Sequence, residues 1–149
     1  MKGTDNFQEL WKRRKEIQIP VIGKIPVIDL PDLIKSKKTQ RDKDWLMIKR
    51  LIESDIYRSS DNPSREKIKF WLNECKTPEL LISFSSKYKD ITLQLIKNRP
   101  LLKYAIEANI EKVKELLIKE EKKERELDKQ YWDPLKAELE TWRLKRNKK

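Results

Sequence analysis

Apolar positions along this chain follow two periods, and the place where one gives way to the other is its first landmark. Residues 16–30, EIQIPVIGKIPVIDL, are dense in β-branched side chains and interrupted by Pro20, Gly23 and Pro26. That pattern predicts two short strands turning near Gly23. Proline cannot donate to a strand ladder, so both strands are expected at edges or bulges. No other segment reads as strand, and a lone hairpin is only marginally stable in water. The pair therefore reads as the margin of a sheet whose remainder is absent.

The rest of the chain runs on the helical period. Residues 5–14 allow one or two helical turns, with Phe7, Leu10 and Trp11 on one side. Asp29 as a cap and Pro31 in the first turn open a helix through Lys38. In RDKDWLMIKRLIESDIYR, residues 41–58, Trp45, Ile48, Leu51, Ile52 and Ile56 fall on one buried face. A stop and restart follow, with Asn62 expected as cap and Pro63 as first helical residue. Ile68, Trp71, Leu72 and Cys75 form the next stripe, on which the cysteine reads as a small buried apolar residue. Thr77-Pro78-Glu79 opens a further helix carrying Leu80, Leu81, Phe84 and Tyr88. Short helices are expected around Ile91–Lys97 and Pro100–Glu107.

Asn109 caps the longest element, expected to run for about two dozen residues until Pro134 kinks or restarts it. Its start is amphipathic through Ile110, Val113, Leu116 and Leu117, whereas KEEKKERE, residues 119–126, is polar all round and is expected to project into solvent. Glu115–Lys119 and Glu121–Arg125 are favourable i,i+4 pairs there, and Glu120–Glu124 is unfavourable. Beyond it Trp132, Leu135, Leu139 and Trp142 follow 3-4-3 spacing, a narrow seam that calls for a partner helix.

Composition strengthens the helical reading and removes several chemistries. Of 149 residues, 37% are hydrophobic and 41% charged, against about 25% charged in an ordinary domain. One modest core is affordable, helped by five tryptophans, of which all but Trp142 are expected to be core. Two glycines are few for an all-β chain, which needs many tight turns. There is no histidine, which removes the commonest general base and zinc ligand, and Cys75, the only cysteine, permits neither an internal disulfide nor a thiolate cage. Asp42 and Asp44 are paired carboxylates, but alternate positions diverge on a helix, so they read as a capping and charge-pairing cluster. Two isolated glycines cannot make a phosphate loop.

Residues 1–11 lack an apolar leader core, and no apolar run approaches the ~18 residues of a membrane span, so the cytoplasm is expected. The net charge of +11 suits an acidic partner such as nucleic acid. The excess is spread along the chain, which also suits simple solubility. Its one cluster is C-terminal: Arg143, Lys145, Arg146, Lys148 and Lys149.

One stretch carries a family resemblance. Ile25-Pro26-Val27-Ile28, then Leu30-Pro31-Asp32-Leu33-Ile34 with Lys37 or Lys38, then Arg41-Asp42-Lys43-Asp44 resembles a segment of bacterial nucleotidyltransferase-fold proteins, including uncharacterised ones linked to toxin–antitoxin or abortive-infection systems. NPSREKIKFWLNECKTPELL is similar to the helical tail of a subset of them. The resemblance implies that Lys37, Lys38, Arg41 and Asp44 face a nucleotide or a partner. The catalytic signature of that family, Gly-Ser followed by two carboxylates on adjoining strands, belongs upstream, and no Gly-Ser pair occurs in this sequence. The chain thus resembles the C-terminal portion of such a protein, from a truncated or split gene or as a chain that completes a partner.

The resulting expectation is a mainly α single domain spanning 1–149: a hairpin region over 1–30, a helical array over 31–109, and a long charged helix with a basic tail over 110–149. No enzymatic activity, no metal and no cofactor are expected. The leading function is a non-catalytic interaction module whose partner is a protein, either the missing N-terminal half or a toxin–antitoxin mate. The alternative is nucleic-acid binding through Trp142, Arg143, Lys145 and Arg146. The oligomeric state is left open.

Overall fold

A computed structural model describes residues 4–146. The protein is mainly α: the described residues form eight helices and one two-stranded hairpin. Contacts divide the described residues into two compact units, one made of residues 4–41 with 123–146 and the other of residues 42–122.

In the first unit, α1 (Phe7–Arg13) is capped by Asn6, whose side chain accepts from the Glu9 amide. Strands β1 (Lys15–Ile19) and β2 (Gly23–Val27) pair antiparallel, with Ile17 opposite Ile25. The turn Pro20-Val21-Ile22 lies just before Gly23, as the sequence predicts. Gly23 takes a φ of 97°, which suits glycine, but Val21 takes 73°, a costly conformation for a β-branched residue. Both Val21 and Ile22 stand exposed at this tip, and β1 is exposed along most of its length. No third strand joins the pair among the described residues. Amides of residues 16–27 are accordingly expected to exchange at least a hundredfold faster than those of residues 45–56, as measured by hydrogen–deuterium exchange. Equal protection would mean that another strand covers the hairpin in solution.

Helix α2 (Leu30–Lys37) starts as read, with the Asp29 carboxylate accepting from the Leu30 amide. It turns Asp32 inward, where the Arg13 guanidinium holds it with two nearly parallel hydrogen bonds of 3.0 and 3.1 Å. That fork ties α1 to α2.

The second unit is built on α3 (Asp42–Ser59), α4 (Arg65–Glu74), α5 (Pro78–Lys87), α6 (Lys89–Leu95), α7 (Leu101–Ile106) and the first turns of α8 (Ile110–Arg146). Its core gathers the predicted stripes: Trp45, Ile48, Ile52 and Ile56 from α3, then Ile68, Trp71 and Leu72 from α4, with Cys75 just beyond it. Leu81 and Phe84, Ile91 and Leu95, Leu101, Leu102 and Ala105, and Val113 and Leu117 complete it. Leu51 is half-buried. The Cys75 thiol is buried and lies 3.6 Å from the Thr77 carbonyl, and burial pushes its pKa up.

Three local expectations are corrected. The cap of α4 is Ser64, whose hydroxyl accepts from the Lys67 amide, and Pro63 precedes the helix instead of starting it. A hydroxyl three residues before a free amide is as good a cap as Asn62, and it lies nearer the apolar stripe. Thr77 precedes α5 but makes no side-chain cap; its hydroxyl donates to the Glu53 carboxylate. Helix α8 is one element of 37 residues with Pro134 inside it, so the helix does not stop and restart there. The ring deprives the Gln130 carbonyl of its helical donor, but Gln130 is exposed, so water can supply one.

The stretch 119–126 is only partly solvated. Arg99 and Lys76 hold Glu120, at 2.7 and 3.2 Å, and Arg125 reaches the Gln40 carbonyl at 2.7 Å. Glu115 does pair with Lys119, and also with Lys112; these bonds hold its carboxyl down at about 2. No helix among the described residues is long and apolar enough to cross a membrane.

Candidate interaction surface

The part of α8 in the first unit is where exposed apolar and charged groups concentrate. It is anchored by a polar clasp. The Gln40 backbone amide donates to Asp128 Oδ2 at 3.1 Å, and the Gln40 carbonyl accepts from Arg125 Nη1 at 2.7 Å. Arg125 and Asp128 are three residues apart on α8 and so share a face. One donor and one acceptor therefore capture both polar groups of a single residue. Asp128 is 3% exposed as a result. Next to the clasp lies a groove of about 360 Å³ lined by Thr39, Gln40, Arg41, Asp128, Trp132 and Lys136.

C-terminal to the clasp every described residue of α8 from position 129 is exposed. Trp132, Leu135, Leu139 and Trp142 form the expected 3-4-3 seam, and all four are exposed; Leu139 is 68% and Trp142 66% exposed. Tyr131 meets the Trp132 ring edge-on at 5.2 Å between centroids. The view that all tryptophans but Trp142 are core holds for Trp45 and Trp71 alone. Trp132 lies on this open seam, and Trp11 is exposed on α1, stacked on Phe7 with the Arg14 guanidinium 4.4 Å from its ring. Helical spacing identifies a stripe, but a short or terminal helix has no neighbour on that side to bury it.

The residues singled out by sequence separate into distinct places. Lys37 ends α2 and Lys38 is its C-cap, both half-buried. Arg41 lines the groove beside Trp132. Asp44 points inward from the first turn of α3 and is 1% exposed, whereas Asp42 is exposed. The two carboxylates thus diverge, as alternate helical positions must. Trp142, Lys145 and Arg146 share one side of the last turns of α8, with Arg143 beside it, and all are exposed. Lys148 and Lys149 lie outside the described residues. Among the described residues no three Cys, Asp or Glu side chains converge as metal ligands would.

Two features escaped sequence reasoning. The clasp joins residues 88 positions apart, and nothing in a run of alternating charges singles out Asp128 for burial. A second groove, about 330 Å³, lies along the outer face of α3 between Lys43, Leu46, Met47, Arg50 and Leu51. Its exposed Leu46 and Met47 occupy positions off the counted stripe.

Comparison with family models, with curated proteins and with solved structures finds no match to this chain.

Proposed function

We propose that this chain is a cytoplasmic, non-catalytic interaction module that docks a protein partner along the end of α8. The observation that carries the reading is the seam Trp132, Leu135, Leu139 and Trp142, four large apolar side chains in coiled-coil spacing, open to solvent on a helix clamped at its base by Gln40. The hairpin supports a partner of the same kind. Its unpaired edges and exposed Ile17, Val21 and Ile22 suit addition to a sheet carried by another polypeptide. The nucleotidyltransferase-like segment over residues 25–53 is compatible with such a sheet being the catalytic half of a split protein.

One observation favours a second reading, nucleic-acid binding: Trp142 is exposed beside Arg143, Lys145 and Arg146, as a stacking platform with phosphate contacts requires.

A photo-crosslinking amino acid at position 139, introduced in cells that make the protein, separates the two. A discrete polypeptide adduct, absent when the same group replaces the exposed Tyr57 on α3, is the expected result. An adduct destroyed by nuclease would replace this reading with the second. No adduct above the Tyr57 control would overturn both.

A further inference from the structure

We infer that the occupant of the α8 seam is a second copy of this chain, packed parallel to the first. The inference rests on the interaction reading above and names its partner.

The apolar pattern alone leaves direction open. With Trp132 and Leu139 at a positions and Leu135 and Trp142 at d positions, the spacing 3-4-3 reads the same from either end. A parallel pair stacks each residue on its own copy. An antiparallel pair stacks Trp132 on Trp142 and Leu135 on Leu139. Both fill four layers, so the flanking charges decide.

The e positions are Lys129, Lys136 and Arg143, all basic, and the g positions are Tyr131, Glu138 and Lys145. In a parallel pair each g residue faces the e residue five positions on in the other copy. Glu138 then meets Arg143, and the Tyr131 ring meets the Lys136 ammonium, and symmetry makes each contact twice. An antiparallel pair matches e with e and g with g. Keeping all four apolar layers then sets Lys136 against Lys136, Lys129 against Arg143 and Glu138 against Glu138. Each of these is a like-charge contact, and together they outweigh the Tyr131–Lys145 contact that this direction also makes; the parallel pair carries one like-charge layer, Arg146 on Arg146, at its exposed end.

The next core positions outward are Asp128 at d and Arg146 at a. In an antiparallel pair they would face each other with opposite charge. The fold closes that option, because Asp128 is buried under Gln40 and already accepts from its amide and its side-chain Nε2. Gln40 also ends the seam at Trp132, which fixes its length and leaves slipped registers with fewer apolar layers.

Sedimentation equilibrium on the full chain at ten to a hundred micromolar is the test. A dimer is expected, and Leu139→Glu, at a position exposed in the single chain, should make it monomeric with an unchanged circular dichroism spectrum. Glu138→Lys should weaken association about tenfold by turning two attractive contacts repulsive, and adding Arg143→Glu should restore it. A monomeric wild type overturns the inference; a crosslink to a different polypeptide at position 139 would then leave the interaction reading standing. A dimer in which Arg143→Glu fails to rescue Glu138→Lys overturns the parallel arrangement.

Discussion

Replacing Arg99 by Ala is expected to destabilise the unit of residues 42–122 by about 3–5 kcal/mol, the range for removing one partner of a buried ion pair. Arg99 lies between α6 and α7 and is 5% exposed. Its guanidinium donates to the Leu72 and Cys75 carbonyls at 2.8 and 3.0 Å, and to both Glu120 oxygens at 3.0 and 2.7 Å. The carbonyls belong to the end of α4, where helical geometry leaves acceptors without donors. A single side chain thus caps α4 and binds α8, and its removal orphans two buried carbonyls and leaves the Glu120 carboxylate with Lys76 alone. In thermal unfolding the midpoint should fall by roughly 15 °C or more. Arg99→Lys should recover only part of this, because one ammonium cannot span four acceptors in two directions.

The Arg99–Glu120 ion pair also has a pH signature. Burial alone would raise the Glu120 carboxyl; the hydrogen bond and charge of Arg99, with Lys76, outweigh it and hold the pKa below the ordinary value. A carboxyl depressed in the native state adds stability that is fully present above its unfolded pKa, near ~4.3. That stability is lost as pH falls through the native value. The wild type should therefore lose part of its stability in this acid window, and Arg99→Ala should show a flatter profile there. A loss of stability below about 1 kcal/mol would reduce the Arg99–Glu120 contact to a surface ion pair.

Trp71→Ala is expected to cost a similar 3–5 kcal/mol, by a different route. The indole is fully buried, lies 5.5 Å from the Phe84 ring, and donates from Nε1 to Asp55 at 2.8 Å. Trp71→Phe keeps most of the volume and removes the donor. Asp55 retains Lys67 at 3.1 Å, so that change should cost only about 1–2 kcal/mol. Urea unfolding of both variants separates the packing contribution from the hydrogen bond. If Phe and Ala cost the same, the polar contact, not the cavity, dominates at this site.

The helices and the hairpin were legible because their signals are local. Pro20, Gly23 and Pro26 bracket a turn, and the 3.6-residue stripes of α3 and α4 are long enough to fix a face. Misreadings arose where a local rule met a context it does not contain. Pro134 lies inside α8, where the carbonyl it orphans belongs to the exposed Gln130 and can reach water. Pro63 suits a first helical position, but Ser64, one step on, is an equally good cap and lies nearer the apolar stripe. Trp11 and Trp132 sit on apolar stripes, but whether a stripe is covered depends on distant chain. The seam at the end of α8 was visible as spacing. The Gln40 clasp that limits it was not, since it depends on two side chains nearly ninety positions away. Arg99 was invisible for a related reason: in a sequence this rich in cations, nothing local separates a buried one from the rest.

The burial of Cys75 gives the protein an internal recorder. A thiol reagent reacts with the thiolate, and burial both shields this sulfur and raises its pKa. Modification therefore marks molecules in which the junction between α4 and α5 has swung open. Because the sequence holds no second thiol, every labelled chain registers one such excursion, and the accumulated mass shift counts them. The same junction carries the Cys75 carbonyl that Arg99 holds, so this count reads the Arg99 contacts from within.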